Sequence, residues 1–104
     1  ATERDTRLIM RALRNTERVL RNPAVDQVIE KERALGDDVR FEDIAEQVAG
    51  VYYRVMVEGE VDTGAWSCGM VAGLIDDIPS VKELIERIIA EANAIATQRL
   101  PSFF

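Results

Sequence analysis

The chain has 104 residues, 47% hydrophobic and 31% charged, enough for one modest core and too few for a complete (β/α)8 barrel of about 250 residues. A net charge of −6 argues against a nucleic-acid partner, and the absence of His excludes His-based triads, His metal sites and the usual neutral-pH acid–base group. The single Cys, Cys68, forms neither an internal disulfide nor a zinc cluster, so no metal and no oxidising compartment is implied and the cytoplasm is the expected setting.

No run approaches about 18 apolar residues, so no membrane span is expected, and the polar start Ala1 to Arg7 leads into no signal-peptide core. The chain begins without Met, which fits a processed chain or a piece of a longer one. In residues 1–21 six arginines, Arg4, Arg7, Arg11, Arg14, Arg18 and Arg21, are spaced 3, 4, 3, 4, 3, with Leu8, Ile9, Leu13, Val19 and Leu20 between them. On pattern alone this is an amphipathic helix. Its Arg stripe reads first as a solvated face paired with acidic groups elsewhere, and alternatively as a phosphate-binding face.

Asn22-Pro23 breaks the pattern, and Pro suits the first turn of a helix over 24–34 that Gly36 stops. The next helix is expected from Phe41 to Val57, with Ile44, Ala45, Val48, Val51, Tyr52, Val55 and Met56 at 3–4 residue spacing and Glu42 and Asp43 in its first turn. Of Tyr52 and Tyr53, one ring is expected in the core and one at its edge. Three glycines then fall within ten residues around the only Trp, in Gly64-Ala65-Trp66-Ser67-Cys68-Gly69-Met70-Val71-Ala72-Gly73. Ser67 is expected to cap a helix from about Cys68 whose small face, Gly69, Ala72 and Gly73, packs closely on another element. Cys68 is expected to be buried as a small hydrophobe. Asp76-Asp77-Ile78-Pro79 ends that helix, and Ser80 with Glu83 forms a capping box for the last one. That last helix carries its apolar face on Val81, Leu84, Ile85, Ile88, Ile89, Ala92 and Ile95.

Adjacent acids at Asp37-Asp38 and Asp76-Asp77 read as turn and capping residues, since hard cations need several converging oxygens. The turn Trp66-Ser67-Cys68-Gly69-Met70 gathers an aromatic ring, a hydroxyl and a glycine where a loop enters a helix. Such a place either presents a hydroxyl and free N–H groups to a ligand or is a cap with Trp packed over it.

The stretch Gly64-Ala65-Trp66-Ser67-Cys68-Gly69-Met70-Val71-Ala72-Gly73-Leu74-Ile75-Asp76-Asp77-Ile78-Pro79 resembles the C-terminal G-x-W-S-x-G-[MQ]-V-x-G-L-I-x-D-x-P signature of the 2-nitropropane dioxygenase-like flavoproteins, a family of nitronate monooxygenases and NAD(P)H-dependent FMN oxidoreductases and quinone reductases. Asp5 to Asn22 is similar to a second stretch of that family, in the same order and register. Met70, where many members carry Gln, leans toward the quinone-reductase branch. The resemblance implies the C-terminal part of an α/β TIM (β/α)8-barrel flavoprotein, the 104 residues themselves mainly α-helical with a short β-hairpin at the N-terminus.

It divides the chain into an extended or hairpin-like Arg-rich segment (1–22), a helical insertion (23–60), and the W-S-x-G turn with the final barrel helices (61–104). It therefore sets a hairpin over about residues 6–20 against the helix of the periodicity, and the hairpin is the expectation kept. The FMN phosphate loops and the family's catalytic His would lie upstream, so no catalytic residue is assigned in this chain. Trp66, Ser67, Gly69 and Met70 would form a wall of the flavin and substrate pocket. FMN would be the cofactor, NAD(P)H a candidate reductant, and a small molecule the substrate. The partners would be the missing N-terminal barrel portion and, in a homo-oligomer, further copies of the chain. The competing reading from a different class is a small acidic helical interaction module without catalysis.

Overall fold

The computed structural model describes residues 1–104. A 3-10 turn over Glu3–Asp5, capped by Thr2, leads into strands β1 (Thr6–Ile9) and β2 (Glu17–Leu20), paired antiparallel with Thr6 opposite Leu20 and Ile9 opposite Glu17. Helices α1 (Pro23–Leu35), α2 (Phe41–Val48) and α3 (Val51–Met56) follow. A 3-10 turn over Met70–Leu74 precedes α4 (Val81–Ala94), which runs on through further helical turns to Phe103.

The hairpin is therefore present where the Arg periodicity alone pointed to a helix. Its connection contains two non-glycine residues at positive φ, Met10 (59°) and Arg14 (55°). Such conformations are costly unless the surroundings fix them. Here the Met10 amide donates to the Glu32 carboxylate of α1 at 2.6 Å, and Ile9, Met10 and Val19 are all buried. Burying these side chains against α1 outweighs the local helical pattern. The arginine stripe does not pair with acids as expected. Of the six, only Arg21 makes an ion pair, with Asp26 at 3.2 Å. Arg7 donates to the carbonyls of Arg4 and Thr6, and Arg18 to the Thr6 hydroxyl.

The core is small. Ile9, Met10, Val19, Val25, Val28, Val39, Ile44 and Ala65 form one cluster, with Leu13, Ile29 and Val48 packed against it. The Asn22 side chain accepts from the Val25 amide at 2.9 Å, capping α1, and Pro23 occupies the first turn as expected. Gly36 ends α1.

The single helix expected over Phe41–Val57 is in fact two. Ala49 is extended and Gly50 left-handed (φ 65°, ψ 14°), so the backbone turns between α2 and α3 while the apolar spacing continues. Periodicity carries no signal for such a break; a glycine in the run does. Both Tyr52 and Tyr53 are exposed, so neither ring enters the core. Helix α3 has six residues and turns only Val51 into the core.

Gly64 sits against buried Val51: a Cβ there would lie 2.5 Å from one Val51 methyl and 2.8 Å from the other. Val51 is β-branched and stiff at χ1, so it cannot yield cheaply. Gly64→Ala is expected to cost about 1–3 kcal/mol of stability in denaturant unfolding, and the added Val51→Ala change to recover part of it. Equal losses for Gly64→Ala with Val51 intact and with Val51→Ala already in place would contradict this packing.

At α4 the expected capping box is formed: Ser80 N–H donates to the Glu83 carboxylate at 2.8 Å, and the Glu83 amide donates to the Ser80 hydroxyl at 3.3 Å. The Ser80 hydroxyl and amide hold the Glu83 carboxyl below its ordinary range, and Arg87, bonded at 2.8 Å, does the same for Asp77. Both folded-state values are depressed. Their stabilisation is thus complete above the ordinary carboxylate pKa and is lost as pH falls through the lowered values. Amide exchange in the first turn of α4 is expected to speed up on acidification, after correction for the intrinsic rate, before the core amides of α1 respond.

No α4 residue is buried, and its Leu84, Ile85, Ile88 and Ile89 lie open to solvent, Ile88 at 54% and Ile89 at 64% exposure. The chain extends 53 × 35 × 19 Å with a radius of gyration of 18.3 Å, against about 13 Å for a compact domain of this length. An amphipathic helix with an apolar stripe and nothing on it is the geometry of an element made to be covered. No helix is long and apolar enough to cross a membrane.

Candidate functional site

The W-S-x-G segment lies along the free edge of β2. Leu20 N–H donates to the Trp66 carbonyl at 3.3 Å and Cys68 N–H to the Arg18 carbonyl at 3.1 Å, with Ser67 opposite Val19 in an antiparallel bridge. A two-stranded hairpin is marginal by itself, and this third partner shields its edge. Ser67 is therefore not a helix cap. No helix starts at Cys68; the next turn begins after Gly69 and is 3-10, without a side-chain cap. Two ladder hydrogen bonds hold residues 66–68 extended, which a helix start would forbid. Cys68 is half-buried, with its thiol 3.8 Å from the Gly69 carbonyl, because its place on an edge leaves it beside solvent.

The expected close packing of the small face is observed at Gly73. A Cβ there would come within 3.0 Å of the Glu3 backbone nitrogen, so the 3-10 turn rests on the N-terminal turn. Trp66 is half-buried, and its indole N–H donates to the Val61 carbonyl at 3.0 Å. Met70 is exposed (56%), and Gly69 faces open space on its Cβ side apart from a Val71 methyl at 3.9 Å. Thus Trp66, Ser67, Gly69 and Met70 lie along one short segment, with Ser67, Gly69 and Met70 open to solvent.

Ser67 has two side-chain partners that the sequence does not bring forward. Its hydroxyl donates to the Glu17 carboxylate of β2 and lies 2.6 Å from the Tyr52 hydroxyl of α3. The Ser67 amide donates to the same Tyr52 oxygen at 3.2 Å, and the Tyr52 hydroxyl lies 3.3 Å from the Glu17 carboxylate. Glu17 and Tyr52 are 50 and 15 residues away in sequence. Nothing in residue spacing joins them; the pairing of 66–68 to β2 and the placement of α3 do.

Asn22 is the other residue missed. It is buried, and its amide donates to the carbonyls of Val61 at 3.0 Å and Gly64 at 2.9 Å while its oxygen caps α1. It thereby holds the loop that delivers Trp66 and Ser67. An Asn directly before a helix-starting Pro is a readable cap signal, but the two carbonyl contacts are tertiary.

An open cleft of about 530 Å³ lies elsewhere, between the hairpin and α1, lined by Leu8, Arg11, Ile29, Glu32 and Arg33 among others, and it contains none of the four segment residues. No three His, Cys, Asp or Glu residues converge so as to hold a metal ion.

No family model matches the chain. Among solved structures it is similar over its whole length to FabK from Thermotoga maritima, with 32% identity and a TM-score of 0.79, covering 32% of that chain. The chain shares its fold with about a third of FabK. A methionine-to-alanine mutant of the same protein matches at 29% identity and a TM-score of 0.71, again over all of this chain and 29% of the other. Among curated proteins, 37 residues, 36% of this chain, are 49% identical to (3aS,4S,5R,7aS)-5-hydroxy-7a-methyl-1-oxo-octahydro-1H-indene-4-carboxyl-CoA dehydrogenase of Mycobacterium tuberculosis (strain ATCC 25618 / H37Rv), a match spanning 10% of that protein. Its namesake from Rhodococcus jostii (strain RHA1) is 46% identical over 37 residues, also 10% of its length. The chain thus corresponds to a minor part of each relative.

Proposed function

We propose that the chain is the C-terminal part of an FMN-dependent oxidoreductase of the 2-nitropropane dioxygenase-like family, of nitronate monooxygenase or NAD(P)H:quinone reductase type. In this reading it contributes one wall of the flavin and substrate pocket. The observation that carries it is the likeness of all 104 residues to 32% of FabK at 32% identity. The uncovered apolar face of α4 supports it, since outer barrel helices bury such a stripe on the strands, and those strands would lie in the remainder of the polypeptide. The dehydrogenase name of the curated relatives agrees with an oxidoreductase.

The residues present fit a wall and not a phosphate cradle. Ser67 offers a hydroxyl at the surface, Gly69 leaves open space for close approach, and Met70 and Trp66 add apolar surface. When bound, the flavin supplies the hydride and electron chemistry; the protein positions substrate and excludes competing reactions. Trp66, held by Val61, and Met70 would pack against the ring or substrate, and Ser67 would make the polar contact.

The test is the polypeptide that carries these residues together with its barrel strands. It should oxidise NAD(P)H with a quinone or nitronate acceptor. Ser67→Ala should lower kcat/KM about tenfold with only a small change in melting temperature. Unchanged kinetics per folded molecule would remove Ser67 from the pocket.

A further inference from the structure

We infer that Glu17 and Tyr52 are positioning residues for Ser67, and that they fix its polarity so that it accepts a hydrogen bond from an amide-type N–H on the ligand. This rests on the pocket reading above and adds to it which way the hydrogen bond runs.

Counting donors and acceptors decides the polarity. A serine hydroxyl has one proton to donate and two lone pairs, and a carboxylate only accepts. Ser67 Oγ–H is directed at the Glu17 carboxylate, so its one proton is already committed. The Tyr52 oxygen accepts the Ser67 amide N–H at 3.2 Å. Its own proton is then free to go to Ser67 Oγ, at 2.6 Å, or to Glu17, at 3.3 Å. The shorter contact favours Ser67. The chain of bonds runs from the Ser67 amide to Tyr52, on to the Ser67 hydroxyl, and ends at Glu17. What Ser67 has left for a ligand is a lone pair.

Three separate elements meet to produce this: β2 brings Glu17, α3 brings Tyr52, and the bridge to Val19 brings Ser67. Ser67 and Tyr52 are exposed, so the remaining lone pair is reachable from outside this chain. A quinone carbonyl or a nitronate oxygen, which only accepts, is a poor partner for an oxygen with no proton to give. The imide N–H of a flavin ring and the carboxamide N–H of a nicotinamide both fit.

The experiment uses the full-length protein with wild type, Glu17→Gln, Tyr52→Phe, Ser67→Ala and the two double variants with Ser67→Ala. FMN affinity is read by titrating the apoprotein and following flavin fluorescence; the nicotinamide arm is the KM for NAD(P)H against kcat. Melting temperature is followed throughout. Gln at 17 can donate to Ser67 and turn its proton outward. Glu17→Gln is therefore expected to weaken one of the two affinities about five- to tenfold, the arm affected identifying the ligand. Tyr52→Phe removes an orienting contact but leaves the Ser67 proton on Glu17, so it should weaken the same arm by less than Glu17→Gln does. In the Ser67→Ala background neither change should add a further loss, because both act through Ser67. Losses that multiply in the double variants, or that follow melting temperature with both affinities intact, would overturn the inference. So would wild-type affinities in Glu17→Gln. Failure of the pocket reading itself looks different: the wild-type protein would bind no FMN at all.

Discussion

Asn22→Asp, a change that keeps side-chain size, is expected to destabilise the protein by about 2–5 kcal/mol. The new carboxylate can still accept from the Val25 amide, so the α1 cap survives. The two bonds donated to the Val61 and Gly64 carbonyls are lost, and a buried negative charge faces both oxygens. Each unsatisfied buried partner costs about 1–3 kcal/mol, and the uncompensated charge adds to that. Burial beside two carbonyls raises the folded-state pKa of such a carboxyl. The folded state then binds its proton more tightly, and the variant should regain stability as pH falls, opposite in sign to the response at Glu83 and Asp77. Urea unfolding of the variant near neutral and at mildly acidic pH checks both points. A midpoint equal to wild type would mean that residues 61–64 are not held through Asn22.

The second large effect belongs to α4. Leu84, Ile85, Ile88, Ile89 and Ile95 are exposed, and each is worth about 1.5–3 kcal/mol when fully buried. If the chain is part of a larger barrel, that full-length protein should depend on this face. Ile85→Glu with Ile88→Glu is expected to abolish soluble folded protein, or to separate α4 from it in limited proteolysis. The isolated 104-residue chain should self-associate through the same face, and the double variant should suppress that association in sedimentation. A clean monomer of the wild-type chain with α4 protected from exchange would count against the fragment reading.

How much of this is legible in the sequence follows from which forces are local. The Ser80–Glu83 box, the Pro23 start of α1 and the Gly36 stop are local, and their residues announce them. Where two forces compete, periodicity alone misleads. The arginine spacing looks helical, yet Ile9 and Val19 reach the core only as strands. The resemblance of two separated motifs supplies what periodicity cannot. The break at Ala49-Gly50 is hidden because the apolar spacing runs across it. At the candidate site, Ser67 is exposed, and its reading as a helix cap is wrong. A Ser among glycines reads as a helix start unless the pairing of 66–68 with β2 is known, and that pairing is tertiary. Glu17 and Tyr52 are invisible for the same reason.

If these residues complete the flavin pocket of a larger barrel, the full-length polypeptide must hold flavin. The most direct measurement is its flavin content, with the protein purified without added cofactor or reconstituted with FMN, then denatured and its supernatant read for flavin absorbance against protein concentration. The expected result is a yellow protein releasing about one FMN per chain, with the flavin lost or loosened on Ile85→Glu/Ile88→Glu. A colourless full-length protein that takes up no FMN on reconstitution, while remaining folded, would contradict it.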